Sequence, residues 1–246
     1  MTGKDYAPRL RRPFLRDFHK HLLLLATAVF ICIGYITTRV LAFPPGWFGW
    51  IQKQFDLNAE NNLTTWFATF LWMVAAYRAY RLAEVDHTRQ GAFSNKLYWA
   101  SLALVALACS IDEIAQIHEM TSSIPGRFGV DFIVYDWVPF GIAAFAVVGL
   151  FFLRFLLRLP RYIGATIVLA GAIFVGGAIG WESVGSLIGH GPLWRFNTDN
   201  GWTFVIAAEE FMEMTGVILL IVALQTHYRQ LVLARPAVSE GPRQAA

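Results

Sequence analysis

Carboxylates and one histidine stand inside segments of this sequence that are otherwise apolar. The segment SIDEIAQIHEM (110–120) ends an apolar run with four ionisable residues, and AAEEFMEMTG (207–216) carries three glutamates. Single glutamates stand in AENNLTTWF (59–67) and GWESVG (180–185). Carboxylate oxygens combined with an imidazole are ligands that suit iron or manganese, and both groups can also transfer protons. The predicted metal ligands are Glu60, Asp112, His118, Glu119, Glu182, Glu209, Glu210 and Glu213, and the predicted catalytic residues are Glu113 and His118.

The elements that must position these residues are predicted to be membrane-spanning helices. Of the 246 residues, 56% are apolar and only 15% are charged, whereas a soluble domain carries about 25% charged residues. Runs of roughly 20 apolar residues are long enough to span a bilayer. Six spans are predicted, at about 21–43, 63–82, 97–120, 137–158, 162–187 and 202–228. The runs do not alternate as the strands of a β-barrel do, so an all-α integral membrane protein is expected.

The basic residues predict the orientation of these spans. With the N-terminus inside, 16 of the 20 Lys and Arg residues fall in inner segments and 4 in outer ones. This division fits the positive-inside rule, and it needs no nucleic acid to explain the net positive charge. We therefore expect both termini to be cytoplasmic. The predicted organisation is a basic N-terminal segment (1–20), a transmembrane domain (21–230) and a disordered tail (231–246).

The acids lie at one level of the predicted spans. Spans 2, 3, 5 and 6 each carry acid near their outer ends, and spans 1 and 4 carry none. We therefore predict a four-helix bundle of spans 2, 3, 5 and 6 around a polar site in the outer leaflet, with the other two helices packed outside it. On span 3, the helical spacing predicts one face for Asp112, Gln116 and Glu119. Acids inside a membrane normally face the interior of a bundle or water, and they pair. The outer basic residues are too few for pairing, so either several acids are protonated or a cation is bound.

This layout is similar to that of soluble di-iron bundles, in which two helices each give one Glu and two give Glu-x-x-His. Here spans 2 and 5 give one Glu each and spans 3 and 6 give clusters, but no Glu-x-x-His occurs. The likeness implies two iron ions as the cofactor, with manganese or zinc as alternatives. The six histidines are too few for the histidine boxes of membrane desaturases.

Three classes of function follow from this pattern. The favoured one is a metal-dependent oxidoreductase, preferred over a metal-dependent hydrolase, that acts on a lipophilic substrate, a quinone or dioxygen. The alternatives are a cation or proton transporter and a non-catalytic accessory or lipid-binding subunit. The expected partners are membrane lipids and a lipophilic small molecule, and the expected location is a bacterial inner membrane with the site facing the periplasm. An electron donor or partner subunit is left open.

Overall fold

The computed structural model describes residues 21–41, 46–88, 94–117, 138–190 and 193–234. These residues form helices and no strand. In chain order the helices are α1 (Leu22–Val40), α2 (Trp47–Gln54), α3 (Leu63–Val85), α4 (Asn95–Ala115), α5 (Val138–Leu156), α6 (Arg161–Val175), α7 (Glu182–His190) and α8 (Asp199–Leu233). A π-helical segment, Gly176–Trp181, joins α6 to α7, and a 3₁₀ turn, Trp194–Phe196, precedes α8.

Four stretches in the described part of the chain are long and apolar enough to cross a bilayer. They are Leu22–Val40, Asn95–Ala115, Val138–Leu156 and Arg161–Gly185, and they correspond to predicted spans 1, 3, 4 and 5. The predicted all-helical class is confirmed, and these helices are compatible with a multi-pass membrane protein. Six spans are not confirmed, because α3 and α8, with 23 and 35 residues, do not reach the same apolar character. Both carry several charged and polar side chains.

Helix α8 is the centre of the described bundle. Its second half is buried on all sides, as Ile218, Ile221 and Leu224 show with exposed fractions of 2%, 0% and 0%. It packs against α6, α3 and α1, while α4 packs mainly against α3. The predicted bundle of spans 2, 3, 5 and 6 alone is therefore not confirmed, because α1 also lies directly against α8. The Cys32 Sγ of α1 is 3.8 Å from the Ala207 carbonyl oxygen of α8.

One end of the bundle, which we call the basic end, is closed by a compact aromatic and polar cluster. The Trp99 ring of α4 is fully buried and makes an edge contact with Phe155 of α5, with ring centroids 4.7 Å apart. His227 of α8 lies 5.5 Å from the same indole. The Trp99 Nε1–H donates to the carboxylate of Asp86, at the end of α3, over 2.9 Å. Four helices or helix ends are therefore joined here through buried side chains.

The opposite end, which we call the acidic end, is more open. Helix α5 buries only Phe152 and Phe155, which both lie in its second half. In its first half Phe140 and Ile142 are 46% and 52% exposed. The first half of α5 contacts α6 through the rings of Phe145 and Phe174, whose centroids are 5.8 Å apart, but it buries no side chain fully, and a space remains beside it at the acidic end.

Candidate functional site

The space at the acidic end is a cavity of about 770 Å³, which we call the acidic cavity. Seven carboxyl groups from four parts of the chain line it. They are Glu60, Asp112, Glu113, Glu182, Glu209, Glu210 and Glu213. The described acids that the sequence pattern singled out thus lie around one cavity, although they come from residues as far apart as 60 and 213. Their roles as ligands or proton carriers remain predictions.

The predicted ligands His118 and Glu119 lie outside the described residues. The expected common face of Asp112, Gln116 and Glu119 is not supported, because α4 ends at Ala115 and Gln116 takes a left-handed conformation with φ of 51°. The Gln116 N–H donates to the Asp112 carbonyl at 2.8 Å, which completes the last turn. A left-handed residue stops the regular helical repeat, so the i, i+7 relation with Glu119 no longer follows from helix geometry.

Glu60 does not cap α3, although its position just before the helix would allow it to do so. Asn62 caps the helix instead, since its side-chain oxygen accepts from the N–H groups of Thr64 and Thr65 at 3.0 and 3.1 Å. Asn61 adopts a positive φ of 60°, a conformation that asparagine tolerates better than most residues. The Thr65 hydroxyl donates to Glu60 Oε2 over 3.1 Å. The turn therefore presents Glu60 to the cavity, held by a single hydroxyl.

Glutamates 182, 209 and 213 meet because the π-helical segment approaches α8 very closely. A Cβ placed on Gly177 would lie 2.9 Å from the Glu209 carbonyl oxygen and 2.9 Å from Cγ of Glu213. One helical turn further along α8, a Cβ on Gly216 would lie 2.8 Å from backbone and side-chain atoms of Phe174. These two glycines allow backbone contact. Glu182 follows the π-helical segment directly, which brings its carboxyl group to the same cavity wall as those of Glu209 and Glu213.

Three of the acids also surround a smaller space beneath the main cavity. Glu113 of α4 and Glu210 and Glu213 of α8 line it, together with apolar side chains. Its volume is about 10 Å³, close to the room that one water molecule occupies. Glu113 interacts electrostatically with both glutamates of α8. Carboxyl groups that line one small space repel one another when they are ionised.

Aromatic side chains complete the wall of the acidic cavity. Trp72, Trp181, Trp202 and Phe174 line it, as does the first half of α5. The site predicted from the sequence includes neither these aromatic residues nor span 4. The adjacency of Trp181 and Glu182 in GWESVG was the one available signal. The Trp181 Nε1–H lies 3.0 Å from the Met212 sulfur, which fixes the indole against α8.

The described acids are grouped but are not gathered into a finished metal site. Within residues 21–41, 46–88, 94–117, 138–190 and 193–234, no three His, Cys, Asp or Glu side chains are arranged so that they could hold a metal ion. What the described wall offers is a concentration of negative charge and hydrogen-bond acceptors beside aromatic rings. Such a wall can attract cations and accept protons.

The fold and the cavity together define a class: an all-helical protein with four helices able to cross a membrane and a carboxylate-lined cavity at one end. The chain belongs to the family described as "Domain of unknown function (DUF8692)", whose model matches residues 21–228. That range contains every residue of the acidic cavity. Comparisons with curated proteins and with solved structures give no match.

Proposed function

We propose that the protein crosses the membrane six times, with the acidic end on the outer, periplasmic side of a bacterial inner membrane. Helices α3 and α8 have 23 and 35 residues, which correspond to about 34 and 52 Å at 1.5 Å per residue. Both lengths suffice for a bilayer core of about 30 Å. The buried position of α8 supports this, since a helix enclosed by others needs less apolar surface. The basic residues near the other end favour this orientation.

We propose further that the acidic cavity is the active site of a metal-dependent oxidoreductase with a carboxylate-bound pair of iron ions. Manganese or zinc are the alternative metals. The observation that carries the proposal is the meeting of seven carboxyl groups on one cavity wall. Glu210 and Glu213 are the best placed metal ligands, because they also share the smaller space with Glu113. His118 and Glu119 remain predicted partners from outside the described residues, and Glu113 or His118 would move protons.

Because the described carboxyl groups do not yet form a ligand set, metal binding has to draw them closer together. The carboxyl groups of the lining glutamates can move in this way, because each side chain has three rotatable bonds and reaches over several ångströms. When bound, the metals would supply redox chemistry or activate water. The side chains of this protein would bind the ions, exchange protons and keep the reaction away from bulk water. A hydrolase that uses a metal-bound water is the variant of this proposal.

The packing below the cavity favours an enzyme over a transporter. From Val217 to Leu224, α8 is apolar, and Val217, Ile218 and Ile221 are 3%, 2% and 0% exposed. These residues occupy about 10 Å along the helix axis, between the deepest described acid, Glu213, and the basic end. A path for ions or protons needs polar groups or water throughout. The described residues place polar groups at both ends of this stretch and pack it with apolar side chains.

Elemental analysis of the purified protein tests the proposal. We expect about two transition-metal ions per chain, and a loss of at least one in Glu210→Gln and in Glu213→Gln. The matched control is Glu84→Gln, which changes an exposed acid near the basic end whose side chain pairs with Arg81 at 2.9 Å. Wild-type protein without metal after reconstitution with iron, manganese and zinc would leave the accessory role as the better explanation. Cation flux in liposomes would favour the transporter.

A further inference from the structure

The acidic cavity has one wall of a different chemistry, and that wall is made by α5. Phe140, Gly141, Ala144 and Phe145 line the cavity. Their spacing of i, i+1, i+4 and i+5 places them on one face of the helix. The two small residues leave room between the two rings, so this face is apolar and indented. It lines the same cavity as the carboxyl groups of α8.

The cavity reaches the protein surface beside this wall. Phe140 at the start of α5 and Ile117 just after α4 both line the cavity, yet they are 46% and 49% exposed. The buried contacts of α5 lie at its other end, at Phe152 and Phe155. Among the described residues, the edges of the cavity at the end of α4 and the start of α5 are therefore apolar. In a membrane such edges face acyl chains, which makes this side accessible to molecules dissolved in the bilayer.

The polar wall of the cavity determines which charge a bound ligand can carry. No Lys or Arg is among the described residues that line the cavity. Of the indole N–H groups in the lining, those of Trp181 and Trp202 are already donated to Met212 and Asn197. An anionic head group would meet mainly acceptors and like charge, whereas an amine would meet carboxylates and aromatic faces, which attract cations. Even two divalent ions would bring four positive charges against seven carboxyl groups.

We propose that the acidic cavity takes a single-chain amphiphile with an amine head group, which enters from the bilayer between α4 and α5. The amine lies among the carboxyl groups, and the hydrocarbon chain lies along Gly141 and Ala144 and leaves through the opening beside Phe140. A volume of about 770 Å³ accommodates the head group and part of such a chain. This assignment rests on the proposed function in taking the cavity as the substrate site, and it specifies the class of substrate.

Photo-crosslinking tests the assignment. The probes are two hexadecyl compounds with the same diazirine in the chain, one with a terminal amine and one with a terminal carboxylate. They are added to the full-length protein in nanodiscs of neutral lipid, and the labelled residues are mapped by mass spectrometry. We expect the amine to label Phe140, Phe145 and Ile117 at least about tenfold more than the carboxylate does, because like-charge contacts cost several kcal/mol.

Variants of α5 provide the matched comparison. Ala144→Trp fills the indented face and should reduce cavity labelling by the amine about fivefold or more, whereas Ile142→Trp, at a lipid-exposed position outside the lining, should leave it unchanged. Equal labelling by both probes, or labelling confined to residues such as Ile142 and Val147, would overturn the assignment.

The same preparations are analysed for metal, so the two proposals can fail separately. If the amine probe selectively labels a protein that holds no metal, the proposed metal site is refuted and the amphiphile assignment is supported. If metal is bound and the cavity is not labelled, only the amphiphile assignment is refuted.

Discussion

Replacing Gly177 with alanine should separate the π-helical segment from α8, whereas replacing Gly180 should not. A Cβ on Gly177 would lie 2.9 Å from the carbonyl oxygen of Glu209 and 3.2 Å from the backbone nitrogen of Glu213. Backbone atoms of a buried helix cannot turn aside as a long side chain can. Gly180 belongs to the same segment, and a Cβ there has no neighbour within 4 Å. The two substitutions therefore add one methyl group each, in contrasting surroundings.

The expected magnitudes follow from these distances. Overpacking by one methyl group costs about 1–3 kcal/mol, and alanine recovers about 0.5–1 kcal/mol relative to glycine in a helix. Gly177→Ala should therefore lose about 1–2 kcal/mol in the free energy of unfolding, while Gly180→Ala should gain about 0.5 kcal/mol. At about 2–4 °C per kcal/mol for a chain of this size, the two variants should differ in melting temperature by about 3–10 °C.

The difference in melting temperature is measured by intrinsic tryptophan fluorescence while the protein is heated in detergent. All samples are heated at the same scan rate, because unfolding of such proteins is often irreversible. Gly177→Ala should also bind metal more weakly, since Glu182 follows the displaced segment directly. Equal melting temperatures for the two variants would refute the close approach of the π-helical segment to α8. A melting temperature for Gly180→Ala below that of Gly177→Ala would also contradict this close approach.

Two other substitutions have defined outcomes. Asp86→Ala removes a buried acceptor of the Trp99 N–H and should lower stability by about 3 kcal/mol, against less than about 1 kcal/mol for the exposed Glu84→Ala. Burial alone would raise the pKa of Asp86, but hydrogen bonds from Trp99, Asn95 and Thr88 outweigh it and hold that pKa below the usual range. The stabilisation is therefore complete above about pH 4 and is lost as the pH falls through the lowered value, so thermal melts of wild type and Asp86→Ala should converge only in strong acid. Without metal, Glu210→Gln relieves like-charge repulsion and should raise stability on the order of 1 kcal/mol; a lower melting temperature would show that the acids do not repel.

The membrane helices and the grouping of acids could be predicted because both depend on local composition. Apolar runs of about 20 residues fix helix positions to within a few residues, and Arg161–Gly185 agrees with the predicted span at 162–187. Acids that occur at one depth of several helices tend to face one another, because exposure to lipid is costly. Composition and depth therefore suffice, without the packing of the helices, to predict that Glu60 and Glu213 lie near each other, and both line the same cavity.

The local geometry of the site could not be predicted, because it depends on contacts between distant segments. The glycines of GAIFVGGAIG indicate close packing, but the widened turn from Gly176 to Trp181 arises where that segment meets α8. The end of α4 is a similar case, since glutamine has no strong preference for the left-handed conformation that Gln116 adopts. The predicted face through Glu119 assumed that the helix continues.

The role of α5 was missed because its sequence carries no acid and reads as a plain lipid-facing helix. In the structure its two ends differ: Phe155 is 1% exposed, and Phe140 is 46% exposed while it lines the cavity. This difference depends on the cluster around Trp99, which packs against only one end of the helix. Apolar character alone cannot distinguish a ring that faces lipid from one that faces a cavity.

The two ends of the bundle therefore depend on each other. A cavity lined by seven carboxyl groups weakens the packing around it, since buried polar groups without complete partners are costly. The basic end compensates, because Trp99, Phe155 and Asp86 join α3, α4 and α5 by ring contacts and hydrogen bonds to a buried carboxylate. A helix held firmly at one end can stand away at the other without loss of the fold. The position of α5 is thus a consequence of where the bundle is closed, with its buried rings at the basic end and its cavity-lining residues at the other.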